Sequence, residues 1–159
     1  MPGGESPAEV HHPILSVMTE INFNQSEDLS VLTQAPADAV KVFADSLLPQ
    51  LGEVVVLSNR TGLVMLPYTD TVKGTIFHLG EVLVAEARVR IGDQEGYGSV
   101  LGRDLQQALA VAVLDTAVQS NLCVDKIMAF VRAEATTQAA AQELLLRQVE
   151  ATRVEMETF

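Results

Sequence analysis

Tyr97-Gly98-Ser99-Val100-Leu101-Gly102-Arg103-Asp104, followed by the run from Leu105 to Val118, decides how the rest of the chain is read. The first five residues are short and β-permissive, and Gly102-Arg103-Asp104 interrupts them. An aspartate at that point can accept from the free N–H groups of a first helical turn, so Asp104 reads as a helix N-cap. From Leu105 to Val118 nearly every residue is Leu, Val or Ala, with Gln106, Gln107, Asp115 and Thr116 the main exceptions. A helix that is apolar on most sides is buried on most sides. The stretch therefore predicts a strand, a tight turn and a core helix onto which the other elements pack.

Upstream, Glu81 to Ile91 alternates: Leu83, Ala85, Ala87, Val89 and Ile91 share one face, and Glu86, Arg88 and Arg90 the other. Gly92-Asp93-Gln94-Glu95-Gly96 reads as the hairpin loop into Tyr97–Leu101. Earlier still, Val54–Leu57 is a β-branched strand, Asn59-Arg60-Thr61-Gly62 a turn, and Leu63–Leu66 a second strand stopped by Pro67. Residues 68 to 75 read as a polar loop. Two hairpins in series predict an α+β fold with an antiparallel sheet of about four strands, packed by helices on one face.

The flanks read as helical. Ile14, Val17, Met18 and Ile21 recur at helical spacing, and Ser26-Glu27-Asp28 marks a fresh helix start leading into Leu29 and Leu32. Pro36 suits a first helical turn. Val40, Phe43, Leu47 and Leu48 make the stripe of that helix, and Pro49 is expected to end it. Beyond Asn121 the chain has neither Gly nor Pro, so one long C-terminal helix is expected, or two joined near Thr136-Thr137. Such an arm packs on another chain or back on its own core. Residues 1–27 read as a flexible or partly helical leader, and 28–159 as a single domain.

Composition narrows the function. The 159 residues carry a formal net charge of −11, whereas nucleic-acid binders need surplus Lys and Arg to neutralise phosphates. No nucleic-acid role is expected. Cys123 is the only cysteine, so no intrachain disulfide is possible. The apolar runs are too short or interrupted to span a bilayer, and Met1-Pro2-Gly3-Gly4-Glu5 lacks the pattern of a signal peptide. The cytoplasm is the expected location.

Few residues suggest chemistry of their own. Lys41, Lys73 and Lys126 lack the glycine frame of a phosphate-binding loop, and Gly96, Gly98 and Gly102 have the wrong spacing for a dinucleotide fingerprint. Ser99 is not in a nucleophile elbow. His11, His12 and His78 have no metal-ligand partner at suitable spacing, so no metal site is expected. Cys123 reads as a buried structural thiol. Asp115, inside the apolar helix, is either a solvent-facing or helix-packing polar residue or a carboxylate held in a shared site.

Arg103 is the most suggestive side chain. With Gly102 before it and the helix start at Asp104 after it, it could form an anion cradle, or it could bridge to Glu86. Arg88 and Arg90 could extend the cradle, or make cross-strand ion pairs. By residue chemistry alone the chain is a soluble acidic α+β domain without a self-contained active site.

In order and spacing, several motifs resemble the G-subunit family of the bacterial phosphonate carbon–phosphorus lyase complex. They are Leu29-Ser30-Val31-Leu32, Thr61-Gly62-Leu63-Val64-Met65, Phe77-His78-Leu79-Gly80-Glu81, Ala87-Arg88-Val89-Arg90 and Gly96-Tyr97. Gly102-Arg103-Asp104, the pair Asp115 and Gln119, and Ala151-Thr152-Arg153-Val154 complete the set. The resemblance covers about residues 28–159; Arg60 stands where that family often has an acid, and the tail after Val154 differs.

The resemblance implies an accessory subunit of a cytoplasmic transferase complex with I, H and J subunits as partners. There the G, H and L proteins assist the I subunit in moving a phosphonate onto ribose C1 of MgATP, displacing adenine. It implies no cofactor bound by this chain alone and leaves open a non-catalytic assembly role. A homo-oligomer that binds a small anion is the remaining alternative for the isolated chain. Arg103, Gly102, Asp104, Arg88 and Arg90 are then candidates for a composite site, and Arg153, Thr152 and Val154 for partner contact.

Overall fold

The computed structural model describes residues 24–153. The order is α1 (Gln25–Gln34), α2 (Ala37–Leu51), β1 (Val54–Thr69), β2 (Ile76–Ile91), β3 (Gln94–Leu101), α3 (Leu105–Gln119) and α4 (Val124–Ala151). The fold is α+β, with an antiparallel sheet in the order β1-β2-β3. The apolar segment Ile14–Ile21 and Val154 lie outside the described residues.

The sheet has three strands among the described residues, not about four. The expected turn at Asn59-Arg60-Thr61-Gly62 is extended backbone in mid-strand, paired across to Ala87, Glu86, Ala85 and Val84. Gly62 does not adopt the positive φ that such a turn would use. The reversal occurs instead at Asp70–Thr75. There Asp70 N–H donates to Thr75 O (2.9 Å), Gly74 N–H to Asp70 O (2.8 Å) and Val72 N–H to the Asp70 carboxylate (3.0 Å). A turn at residues 59–62 would have left the long β2 without a partner for half its backbone groups, and unpaired groups are costly. Bulges near Leu57 and Leu79 adjust the register of the long hairpin.

α3 is the centre of the molecule, as its composition implies. Ala108, Ala110 to Ala112 and Val113 to Val118 are all buried, packed on Ala85, Ala87 and Val89 of β2 and on β3. Contact with β3 is unusually close. A Cβ on Gly98 would overlap the carbonyl oxygen of Ala108 and stand 2.7 Å from the amide of Ala112. One on Gly96 would overlap Thr116 and stand 2.8 Å from the carbonyl of Ala112. The spacing explains the fit: two strand residues advance about 6.7 Å and four helix residues about 6 Å. Two glycines one residue apart therefore face the small side chains Ala108, Ala112 and Thr116 on α3.

α2 buries Val40, Ala44, Leu47 and Leu51, and Phe43 stacks on Phe130 of α4 with ring centroids 4.3 Å apart. Leu48, expected in the buried stripe, is exposed. Pro49 does not end α2; the helix runs on to Leu51 and stops at Gly52, whose φ of 75° favours glycine.

α4 is a single helix through Thr136-Thr137, whose hydroxyls donate to the carbonyls of Arg132 and Ala133. Only Ile127, Met128 and Val131 are buried, so the C-terminal half of the helix projects from the body. The distal half of the β1–β2 hairpin projects as well: no residue from Asn59 to Glu81 is buried.

Candidate functional site

One face of the sheet is taken by α3, and the other is open among the described residues. Alternation along β2 sends Glu86, Arg88 and Arg90 to the open face, where they meet outward side chains of β1 and β3. Arg60 Nε donates to Glu86 Oε1 at 2.6 Å, and Tyr97 OH to Glu86 Oε2 at 3.3 Å. Arg88 Nη2 donates to Glu95 Oε2 at 2.6 Å. The Arg60 hydrogen bond, more than any other influence, holds the Glu86 carboxyl below the usual range. Glu86 therefore stays ionised at neutral pH and is unsuited to act as a general acid. Arg90 has no carboxylate within 4.0 Å among the described residues.

Arg103 is exposed and, among the described residues, likewise has no ion-pair partner; it does not bridge to Glu86. The structure does not bring it beside Arg88 and Arg90. Leu101 pairs with Val84 and Tyr97 with Arg88, so Arg103 leaves the sheet about 13 Å along it from Arg88 and about 20 Å from Arg90. Gly102, at φ 94°, makes the turn and donates its N–H to Leu83 O at 2.9 Å.

Asp104 caps α3 as its residue type implies, accepting the Gln107 N–H at 2.9 Å; its second oxygen accepts Lys41 Nζ at 2.7 Å. The hydrogen bond from Lys41 and then that from Gln107 lower its pKa. The chain's own carboxylate thus occupies the helix N-terminus that would have faced an anion. Asp104→Ala is expected to cost about 1 kcal/mol at neutral pH, read as the urea midpoint. Because the folded-state pKa is the lower one, this contribution is present above the ordinary aspartate value of about 4 and fades as pH falls through the folded value. The gap between variant and parent should narrow on acidification below that range.

The most deeply held charged residue among those described is Asp115, 2% exposed. It is not solvent-facing. Its carboxylate accepts Gln25 Nε2 (3.1 and 3.2 Å), Tyr97 N–H (2.9 Å) and Gln119 Nε2 (2.9 Å), so it ties α1, β3 and α3 together. Cys123 is half-buried, not buried, and sits at the start of α4 with φ 54°. Thr152 and Arg153 are exposed at the end of α4 and bond only locally, to Val149 O and Glu150. Among the described residues no group of three His, Cys, Asp or Glu side chains could hold a metal ion, and no helix is long and apolar enough to cross a membrane.

Lys41 and Glu95 were not among the residues singled out by sequence. Glu95 lies on β3, not in the expected loop through Gly96; it is opposite Arg90 in the register and pairs diagonally with Arg88. Lys41 is 63 positions from Asp104 and leaves no local signal.

The molecule is an α+β scaffold with a salt-bridged open sheet face and two projecting apolar elements. The family model for "Phosphonate metabolism protein PhnG" matches residues 24–159, and the chain belongs to that family. Its role is accordingly in phosphonate metabolism. A comparison with curated proteins gave no match.

Proposed function

We propose that the chain is an accessory subunit of a cytoplasmic transferase complex that moves a phosphonate onto ribose C1 of MgATP and displaces adenine. The product is the ribose 1-phosphonate 5-triphosphate, and the I, H and J subunits are its partners. Family membership across 24–159 carries this reading. The geometry supports a helper's role: the open-face carboxylates are committed to ion pairs, and Asp115 is enclosed by amides. The chemistry belongs to the larger I subunit, with Arg103, exposed at the turn into α3, offered to the composite site. Apolar exposure on the hairpin and on α4 supports assembly as the physical means by which the chain contributes.

Adenine release from MgATP and methylphosphonate tests this. The reconstituted complex should turn over, omission of this chain should abolish turnover, and the chain alone should be inactive. Arg103→Lys should leave assembly intact and lower turnover severalfold, because a guanidinium's forked geometry is not reproduced by an ammonium. Full activity without the chain would refute the proposal, and normal turnover of Arg103→Lys would remove that side chain from it.

A further inference from the structure

The distal half of the β1–β2 hairpin is apolar on both faces. In register, Leu63 and Met65 share a face with Leu83, while Val64 and Leu66 share the opposite one with Val82. The four β1 residues are 63%, 56%, 51% and 45% exposed in that order. Near the tip, Ile76, Phe77 and Leu79 are exposed too. A strand with one wet face alternates apolar and polar residues, whereas a near-continuous apolar run is the mark of a strand covered on both sides. Among the described residues β1 also leaves its outer edge unpaired. Isolated, such a ribbon is an aggregation hazard that proteins ordinarily suppress with charge. Here charge is scarce: residues 62–84 contain Asp70 and Glu81 alone of the chain's 21 acidic residues, together with Lys73.

From these observations we infer that the hairpin beyond Gly62 and Val84 is an insertion arm that a larger, different chain encloses on both faces, in an apolar cleft with a basic rim. The inference rests on the accessory-subunit reading above and locates its contact. Enclosure on both faces requires a cleft; a two-fold contact between like arms would cover one face or one edge. A second copy also does not fit electrostatically, since each chain carries −11. A groove between α2, β1 and α3, lined by Leu48, Val56 and Leu109, has a volume of 380 Å³. That is the size of a small-ligand site, not of a two-stranded ribbon. The near-neutral arm enters the cleft, and the acidic body meets the basic rim.

The test uses the full chain and the purified larger transferase subunit, with affinity measured at fixed salt. Leu63→Lys with Met65→Lys charges one face, and Val64→Lys with Leu66→Lys the other. Each pair is expected to weaken binding about 100-fold or more, while the thermal midpoint of the free chain hardly moves, because these side chains are already exposed. Hydrogen exchange in the complex should protect the amides on the free edge of β1. If the parent binds and both double variants bind equally well, the arm is not the contact and the inference fails while the functional reading stands. An effect confined to one face overturns enclosure. Failure of the parent chain to bind overturns the functional reading and the proposed occupant together. Concentration-dependent self-association that the arm variants abolish overturns the inference in favour of a second copy.

Discussion

Gly98→Val should cost this chain about 3 kcal/mol or more of folding stability, with a matching fall in the urea midpoint. The loss follows from which atoms stand in the way. The added Cβ would overlap the Ala108 carbonyl oxygen and press on the Ala112 amide, both backbone atoms of a helix whose hydrogen bonds hold them in place. A flexible side chain could swing aside; a helix axis has to translate. Moving α3 away from β3 opens gaps beneath Val111 and Leu114, which are wholly buried, so overpacking at one point becomes a cavity at another. Gly98→Ala should show a smaller effect of the same sign. Gly92→Ala is a useful contrast. Its Cβ would meet nothing within 4 Å, and only the φ of 59° opposes it, at a cost of about 1 kcal/mol. If Gly98→Val unfolds no more easily than Gly92→Ala, close approach of α3 to β3 is not what the glycine provides.

Asp115→Ala is expected to cost about 3 kcal/mol. The carboxylate, 2% exposed, accepts hydrogen bonds from Gln25, Gln119 and the Tyr97 backbone. Truncation leaves the Tyr97 N–H without its acceptor and its desolvation penalty unrelieved, and it frees the amides of Gln25, exposed, and Gln119, half-buried. Asp115→Asn should lose less, because its remaining oxygen can still accept the Tyr97 N–H, although its amide then faces other donors. The readouts separate a structural role from a simple loss of charge. In Asp115→Ala, hydrogen exchange should quicken at the start of α1 and at Tyr97, the elements that the carboxylate joins. Unchanged protection there would show that the tie contributes little.

These two expectations bear on function through rigidity. Glu86, Arg88 and Tyr97 are displayed on the open face only because β3 is held flat against α3 by Gly96 and Gly98 and at its edge by Asp115. The Arg60–Glu86 and Arg88–Glu95 pairs are largely exposed and add little to stability. Their consequence is to commit charge that would otherwise be free to meet a ligand, which leaves Arg90 and Arg103 as the guanidiniums near β3 without an ion pair among the described residues. Those two stand at opposite ends of β3. A single anion cannot engage both.

Local pattern was enough to establish the α+β class, the strand–turn–helix of Tyr97–Val118, the Asp104 cap, the outward set Glu86, Arg88 and Arg90, and the long α4. Each depends on side-chain period or on a capping residue, and both act over a few positions of chain. The passage of β1 through Asn59-Arg60-Thr61-Gly62 was not legible there, because turn propensity at those residues is weak beside the pairing that β2 supplies from a distance. Burial of Asp115 was equally hidden: helical period places it on a face, and only α1 and β3 decide that this face is closed. The same holds for Lys41 on Asp104, and for the glycines of β3, whose spacing has meaning only once four residues of α3 lie across them. Short-range free energies thus settled which segments become helix or strand. The choice of partners, the register and the exposed arm came from long-range pairing and packing, which no local window of sequence contains.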